Sequence, residues 1–560
     1  MNLTIDESYE NLYFLPLGGS DEIGMNVNLY GYSGKWLIID LGITFGDDTT
    51  PGVNIILPDI SFIEPHRNDI CGLLLTHGHE DHIGAVPYLW ERLGCPIYCT
   101  PFTASLVRRK LLDAGILNEV RLIQIDINGI TIIGPFEIEI IRITHSIPES
   151  NMVILHCRAG TIVHSGDWKF DPNPCVGQPT NFNAISNLGK KGVLALIGDS
   201  TNAFIPGNTG SEMDVRKKMK KLFAQYDGKG RIAITCFASN IARLESIAFA
   251  AANNNRQCAM VGRSLWQMHD SAKDNGYLQD APTFIKEEEA GYFPEDKIVL
   301  ICTGSLGESK AALTRISNGS HPHVSLNAGD VCIFSSSQIP GNERAIARLQ
   351  NRLSSKGVEV INSDNLPGIH VSGHPAREEL IKMYQLLRPK IAIPVHGDAR
   401  HLREHARLAE KCNVPESLVP SNGSLVRLSS KGHAEIIEWI KGNGVQVVDG
   451  SQIINLQSEI LNDRRRMLHN GTVNVFLVLD VKGNLKTAPV VSLIGVADRA
   501  NAQILAINAA DAVDGALRKL SNTDRRKNQK VREAARQIVR RIVRNKLNKR
   551  PLTNVNVVRI

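Results

Sequence analysis

Residues 71–84 read CGLLLTHGHEDHIG, and the reading of the whole chain turns on that stretch. The apolar run Leu73–Leu75 reads as the end of a strand. It leads directly into His77, His79, Asp81 and His82, four potential metal ligands within six residues. A helix would scatter ligands this close together around its axis, whereas a loop at a strand end can fold them about one centre. Imidazole mixed with carboxylate suits zinc or manganese, and fits a hydrolytic site better than an all-thiolate structural one. The competing reading is four polar residues in a surface turn. It requires H-x-H-x-D-H to follow an apolar strand by chance.

Three more ligand candidates occupy matching positions. His145 ends FEIEIIRITH, Asp167 ends TIVHSGD, and His396 ends the apolar run of KIAIPVHG. Each apolar strand thus delivers one ligand at its C-terminal end, as a site on one sheet edge requires. Seven ligands exceed one tetrahedral ion. They suit two ions sharing Asp167, with a bridging hydroxide as nucleophile. His77, His79 and His145 are assigned to one ion, and Asp81, His82 and His396 to the other.

The surrounding chain is that of an ordinary globular protein. Its 560 residues suggest three or four domains. Apolar residues at 42% and charged residues at 21% are too apolar a mix for disorder. No apolar run is long enough to span a bilayer. The opening MNLTIDESYENLYFLPLGG has acids where a signal peptide has a basic start, so no export signal is expected and the chain reads as cytoplasmic. Ten cysteines from Cys71 to Cys412 form no Cys-x-x-Cys sets and read as reduced, buried thiols. Net charge is +6, but residues 461–560 carry 21 basic against 7 acidic residues, while the remainder carries 42 against 50. A basic C-terminal module points to a polyanionic partner or, as readily, to a solvated basic face.

Residues 11–200 alternate short apolar runs with glycine and polar turns. From Ser211, strand and helix patterns alternate regularly, as in a parallel sheet with crossover helices. The first style resumes near residue 362. Residues 441–460 read as a connector. The last hundred residues show two strand candidates, TVNVFLVLDV and APVVSLIGV, and two helices. There is no short internal repeat.

This arrangement resembles the metallo-β-lactamase superfamily. The resemblance adds Asp40, in KWLIIDLG, as an acceptor that orients a ligand histidine; without it, an Asp after a strand is simply a turn former. His145 follows His77 by 68 residues, Asp167 follows His145 by 22, and His396 follows Asp167 by 229. The last gap has room for an inserted domain, which resembles the β-CASP subgroup of nucleic-acid nucleases. Its motifs are matched by Asp199 (IGDSTNA), His374 (HVSGHP) and His396 (PVHGD). In that subgroup a histidine at the last position accompanies RNA substrates and a valine accompanies DNA. Within it, LPLGGSDEIGMN, THGHEDHIGAVP, HSIPES, GDSTNA, TCFASNIARL, SSSQIPGNE, HVSGH and PVHGDARHL are similar to the bacterial ribonuclease J family. TGSLGESKAAL at 303–313 departs from that family's Gln and Glu-Pro pattern.

The resemblance implies an α/β protein: a metallo-β-lactamase αββα sandwich, an inserted β-CASP α/β domain and a small C-terminal α/β domain. The boundaries expected are 1–213 and 362–440 for the sandwich, 214–361 for the insertion, 441–460 for a linker and 461–560 for the C-terminal domain. The implied activity is 5′→3′ exonuclease with endonuclease capability on RNA, in RNA maturation and mRNA decay. It would use two Zn²⁺ per chain, with Mn²⁺ or Mg²⁺ able to support activity. A homodimer, or dimer of dimers, through the C-terminal domain is implied, along with RNA-decay partners and no membrane.

Asp81 and His374 are the catalytic candidates, His374 contacting the scissile phosphate and protonating the leaving oxygen. His374 has an equal structural reading as a helix cap. The loop His370, Val371, Ser372, Gly373, His374 precedes a helix and offers backbone N–H groups to phosphate; the resemblance makes it the pocket for a 5′-monophosphate. Ser335, Ser336 and Ser337 with Gly341 form a second candidate cradle. Ser239, Asn240 and Arg243 are candidates for the RNA backbone, against a solvated helix charge for Arg243. On the last helix Arg532, Arg536, Arg540 and Arg544 form a stripe, with Val531, Ala535, Ile538 and Ile542 on a packing face. The rival readings are a β-CASP DNA nuclease, a small-ester metallo-hydrolase and a degenerate scaffold that only binds RNA or partners. His396 and the insertion oppose the first two, and the full set of seven ligands opposes the third.

Overall fold

The computed structural model describes residues 10–47, 49–127, 129–338, 341–442 and 444–560. The acidic start weighed against an export signal lies mostly outside them. The chain forms two compact units, one of residues 1–44 and 57–443, the other of residues 45–56 and 444–560. Among the described residues no helix is long and apolar enough to cross a membrane.

The first unit contains two sheets that share one core. The first sheet runs, in order, His433–Trp439, Ser424–Ser429, Asn11–Gly18, Val27–Tyr32, Lys35–Ile39, Ile70–Leu74, Ile97–Cys99 and Leu122–Gln124. The second runs Glu416–Ser417, Ile391–Val395, Ala195–Asp199, Gly160–His164, Asn151–Cys157, Phe136–Arg142 and Ile130–Ile133. Leu12, Phe14, Leu37 and Leu74 of one meet Ile138, Val153, Ile162, Ile197 and Ile393 of the other. The second sheet's other face, with Val163, Leu196 and Ala392, is covered by the helices Phe182–Lys191, Arg377–Leu387 and Ala399–Lys411. Burying both faces explains why these strands read as continuous apolar runs rather than alternating ones.

Parallel pairing aligns the strand ends that matter. Ile39 pairs with Leu74, His164 with Ile197, and Asp199 with Val395. Asp40, His77, Asp167, Asp199 and His396 therefore leave the sheets at neighbouring C-terminal ends. Asp40 and His396 leave in the left-handed region, at φ 65° and 55°, a strained backbone of the kind that collects at functional sites.

Within this unit the inserted segment forms its own six-stranded, all-parallel sheet. Its order is Phe284–Lys286, Gln257–Val261, Ile298–Cys302, Ile232–Thr235, Val331–Phe334 and Glu359–Ile361. The atypical segment 303–313 is the turn from Ile298–Cys302 into the helix Ala312–Ser317. The ten cysteines are all unpaired thiols.

In the second unit, Thr472–Leu479 is the middle strand of three. It pairs antiparallel with Val490–Ile494 and parallel with Leu552–Arg559. The last strand was not expected from sequence. At eight residues and near the end of the sequence, LTNVNVVR carries only a weak apolar alternation. Val473, Val475 and Leu477 pack under Leu505, Ala509 and Val513 of the helix Arg499–Arg518 and Val531, Ala535, Val539 and Val543 of Asn528–Leu547. Ile538 and Ile542 sit at the margin of that contact, so the packing stripe follows i, i+4 spacing from Val531. Residues 441–460 are not a bare connector. They hold the hairpin Gln446–Asp449/Gln452–Asn455, and Val447 packs with Val53 and Leu461.

Candidate metal centre

The strand end at 75–77 places His77 in the core, fully buried. Asp40, also buried, accepts from the Thr76 N–H at 2.8 Å and from the Thr76 hydroxyl at 2.9 Å. The Thr76 oxygen in turn lies 3.0 Å from His77 Nδ1, which donates to it. The same Asp40 accepts from His82 Nδ1 at 2.7 Å. One carboxylate thus sets two imidazoles. A proton on Nδ1 leaves the Nε2 of His77 as a lone pair, while burial opposes charging His82 but Asp167, Asp81 and Asp40 outweigh it and hold His82 well above the usual imidazole range. Asn26 Nδ2 lies 3.1 Å from His82 Nε2.

The other histidines follow the same logic. His145 Nδ1 donates to the Gly373 carbonyl at 2.7 Å, which can only accept. Thr201 gives its proton to Asp199 at 2.8 Å and accepts from His396 Nδ1 at 2.7 Å. His79 Nδ1 lies 3.1 Å from both His77 Nε2 and His145 Nε2. Three ring nitrogens therefore converge. Burial holds His77 and His145 well below the usual imidazole range and brings His79 to about 4, so all three are neutral at pH 7.

A second set gathers beside them. Asp167 Oδ2 is 3.2 Å from His82 Nε2 and 3.6 Å from His396 Nε2, and His396 Nε2 is 3.2 Å from Asp81 Oδ2. The same Asp167 oxygen is 3.9 Å from His77 Nε2 and from His145 Nε2. Asp167 thus belongs to both groups, His77/His79/His145/Asp167 and Asp81/His82/Asp167/His396. Burial opposes charging His396, but Asp167 with Asp81 and Asp199 raises it to about 9. The carboxylates make the second set electronegative. Converging lone pairs in one set and excess carboxylate in the other fit divalent cations, and all seven donors read from the sequence are present.

His374 lies next to these sets. Its Nδ1 is 2.8 Å from Asp199 Oδ2. Burial lowers its basicity, but Asp199 and Asp167 outweigh that and raise it. The loop 370–374 is half-exposed and braced from below: Asn202 donates to Ser372 Oγ at 2.9 Å and to the His374 carbonyl at 3.0 Å. His370 Nε2 meets Ser337 Oγ at 2.7 Å, so the two candidate phosphate cradles adjoin. Between Ser337 and Gly341, residues 339 and 340 lie outside the described residues.

Two expected RNA contacts are placed elsewhere. Arg243 is fully buried; it donates to Glu212 at 2.9 Å and to the Ser335 carbonyl at 2.9 Å. Asn240 is buried too and caps the helix Ile241–Ala252 by accepting from Arg243 N at 2.9 Å. A guanidinium matched to a buried carboxylate anchors the fold and is closed to a phosphate. The third, Ser239, reaches the metal cluster itself, with its Oγ 3.0 Å from His79 Nε2. Thr76, Thr201 and Asn202 were missed by sequence reasoning. Each sits beside a quoted motif residue, and that adjacency is the only signal they give.

Four family models match the chain. The metallo-β-lactamase superfamily covers residues 22–222; the ribonuclease J β-CASP domain, 229–353; the Zn-dependent metallo-hydrolase RNA specificity domain, 368–415; and the ribonuclease J C-terminal domain, 459–560. Ribonuclease J of Sinorhizobium meliloti is 38% identical over 98% of this chain and 98% of its own. Ribonuclease J 1 of Streptococcus pyogenes is 37% identical over 83% of this chain and 82% of its own. A crystal structure of a protein of unknown function from Enterococcus faecalis V583 shares the fold, with a TM-score of 0.53 and 14% identity over 75% of this chain and 100% of that one.

Proposed function

The chain belongs to the ribonuclease J family, and from that premise we propose that it is a two-zinc ribonuclease acting as a 5′→3′ exonuclease that prefers 5′-monophosphate ends and can also cut internally. RNA maturation and mRNA decay in the cytoplasm are the setting such an activity serves. The observation that carries the reading is Asp167 Oδ2, shared by two donor sets beside a half-exposed loop suited to phosphate.

In this reading His77, His79 and His145 hold one ion, Asp81, His82 and His396 the other, and Asp167 both. Bound there, the ions supply charge neutralisation and an activated water, with zinc preferred and manganese or magnesium able to serve. The chain's own residues do the rest. The backbone of His370–His374 and the Ser372 hydroxyl, with Ser337, seat the terminal phosphate. Asp199 holds His374 by Nδ1, which leaves Nε2 as the nitrogen to face substrate. The raised basicity of His374 keeps a proton available for the leaving oxygen. The basic C-terminal module supports a homodimer and the handling of long RNA. Metal analysis of active protein tests the premise: two transition-metal ions per chain are expected, and activity with none would end it.

A further inference from the structure

We propose that Ser239, on the inserted domain, is a positioning residue for the ligand His79, so that the three-imidazole set is completed from across the cleft. The inference rests on the two-ion reading above. His79 differs from its partners in which nitrogen faces the set: it is Nδ1, 3.1 Å from His77 Nε2 and from His145 Nε2. A neutral ring that offers Nδ1 as a lone pair carries its proton on Nε2. The acceptor for that proton is Ser239 Oγ, at 3.0 Å.

The other ligand rings are held from within the parent sandwich and its returning strands. Thr76 holds His77, Asp40 holds His82, Gly373 holds His145 and Thr201 holds His396. Ser239 instead lies on the turn between Ile232–Thr235 and the helix Ile241–Ala252 of the inserted sheet. That turn is pinned. Ile241 N donates to the Ser239 carbonyl at 2.9 Å, Asn240 caps the helix, and Asn240 and Arg243 both reach Glu212, at 3.3 and 2.9 Å. A hydroxyl carried on so constrained a turn can hold a ring. The inserted domain is also braced near the same edge, where Tyr277 donates to Glu149 at 3.1 Å. The buried Arg243–Glu212 pair, which looked like an RNA contact, instead aims Ser239 at the metal set.

Partners that orient ligands are worth about 10- to 100-fold in metal affinity. The test uses the full chain loaded with zinc and a competing zinc chelator, comparing wild type, Ser239→Ala and Ser239→Thr. We expect Ser239→Ala to surrender one of its ions about 10- to 100-fold more readily and keep the other. Ser239→Thr, which restores the hydroxyl, should hold both as the wild type does. Wild-type zinc retention by Ser239→Ala would overturn the proposal, and so would a loss that Thr fails to restore. An alanine variant with unchanged zinc retention but a raised KM for RNA would also refute it, making Ser239 a substrate contact. Because the readout is zinc, a failure of the nuclease reading would show separately, in the wild type.

Discussion

Asp167 places one oxygen between two donor sets, so its removal reaches both. Asp167→Ala should abolish hydrolysis while far-UV circular dichroism stays native, because the residue lies at a strand end rather than among the apolar side chains of the core. The Arg243–Glu212 pair works in the opposite way, through stability. Burial opposes ionising Glu212, but Arg243 and Lys169 overcome it and bring the carboxyl down to about 2. A depressed carboxyl stabilises the fold above its ordinary value of 4.5 and loses that contribution as pH falls through about 2. Thermal melts of wild type and Glu212→Gln should therefore differ most above pH 4.5 and converge towards pH 2. Arg243→Ala, which leaves the carboxylate buried alone, should cost about 3–5 kcal/mol. The seven donors were legible in the sequence because metal chemistry restricts residue type and their four segments each follow an apolar strand. The burial of Arg243 was not, since an Arg one turn into a helix reads the same whether it faces solvent or a distant Glu.

At the scale of elements, the loop 370–374 does two jobs with one backbone. Its Gly373 carbonyl orients His145, while in the proposed reading its remaining backbone seats the terminal phosphate. A Cβ on Gly373 would stand 2.7 Å from His145 Cε1 and 2.8 Å from Nδ1. Gly373→Ala should therefore displace a ligand, and zinc titration should show weakened binding at one ion together with slower cleavage. Unchanged zinc affinity would break the link between loop and metal set. Apolar runs followed by Gly and a ligand marked most strands of the sandwich. The strand Leu552–Arg559 and the hairpin at 446–455 escaped notice because short, half-exposed strands carry little apolar signal of their own.

For the whole molecule, the basic module supplies none of the seven donors, and the proposed reading gives it assembly or RNA handling. Leu461 packs with Val53 and Val447, so a chain cut at Ser458 would expose that cluster, whereas one ending at Asn470 keeps it. The Asn470 truncation should be folded, zinc-loaded and mainly monomeric by light scattering, cleaving a dinucleotide normally and long RNA more slowly. The charge asymmetry that marked this module is a bulk property and survives without a fold. Its partner surface depends on which side chains the fold leaves outside, and composition does not carry that.

The central claim joins a two-ion hydrolytic centre to a pocket for a terminal phosphate. It is met most directly by digesting one RNA, labelled at either end, bearing a 5′-monophosphate or a 5′-triphosphate. The account predicts that a 5′ label is released early as mononucleotide, that the 3′-labelled strand shortens progressively, and that the monophosphate form is degraded faster. Equal rates on the two 5′ ends, or loss beginning at the 3′ end, would contradict it.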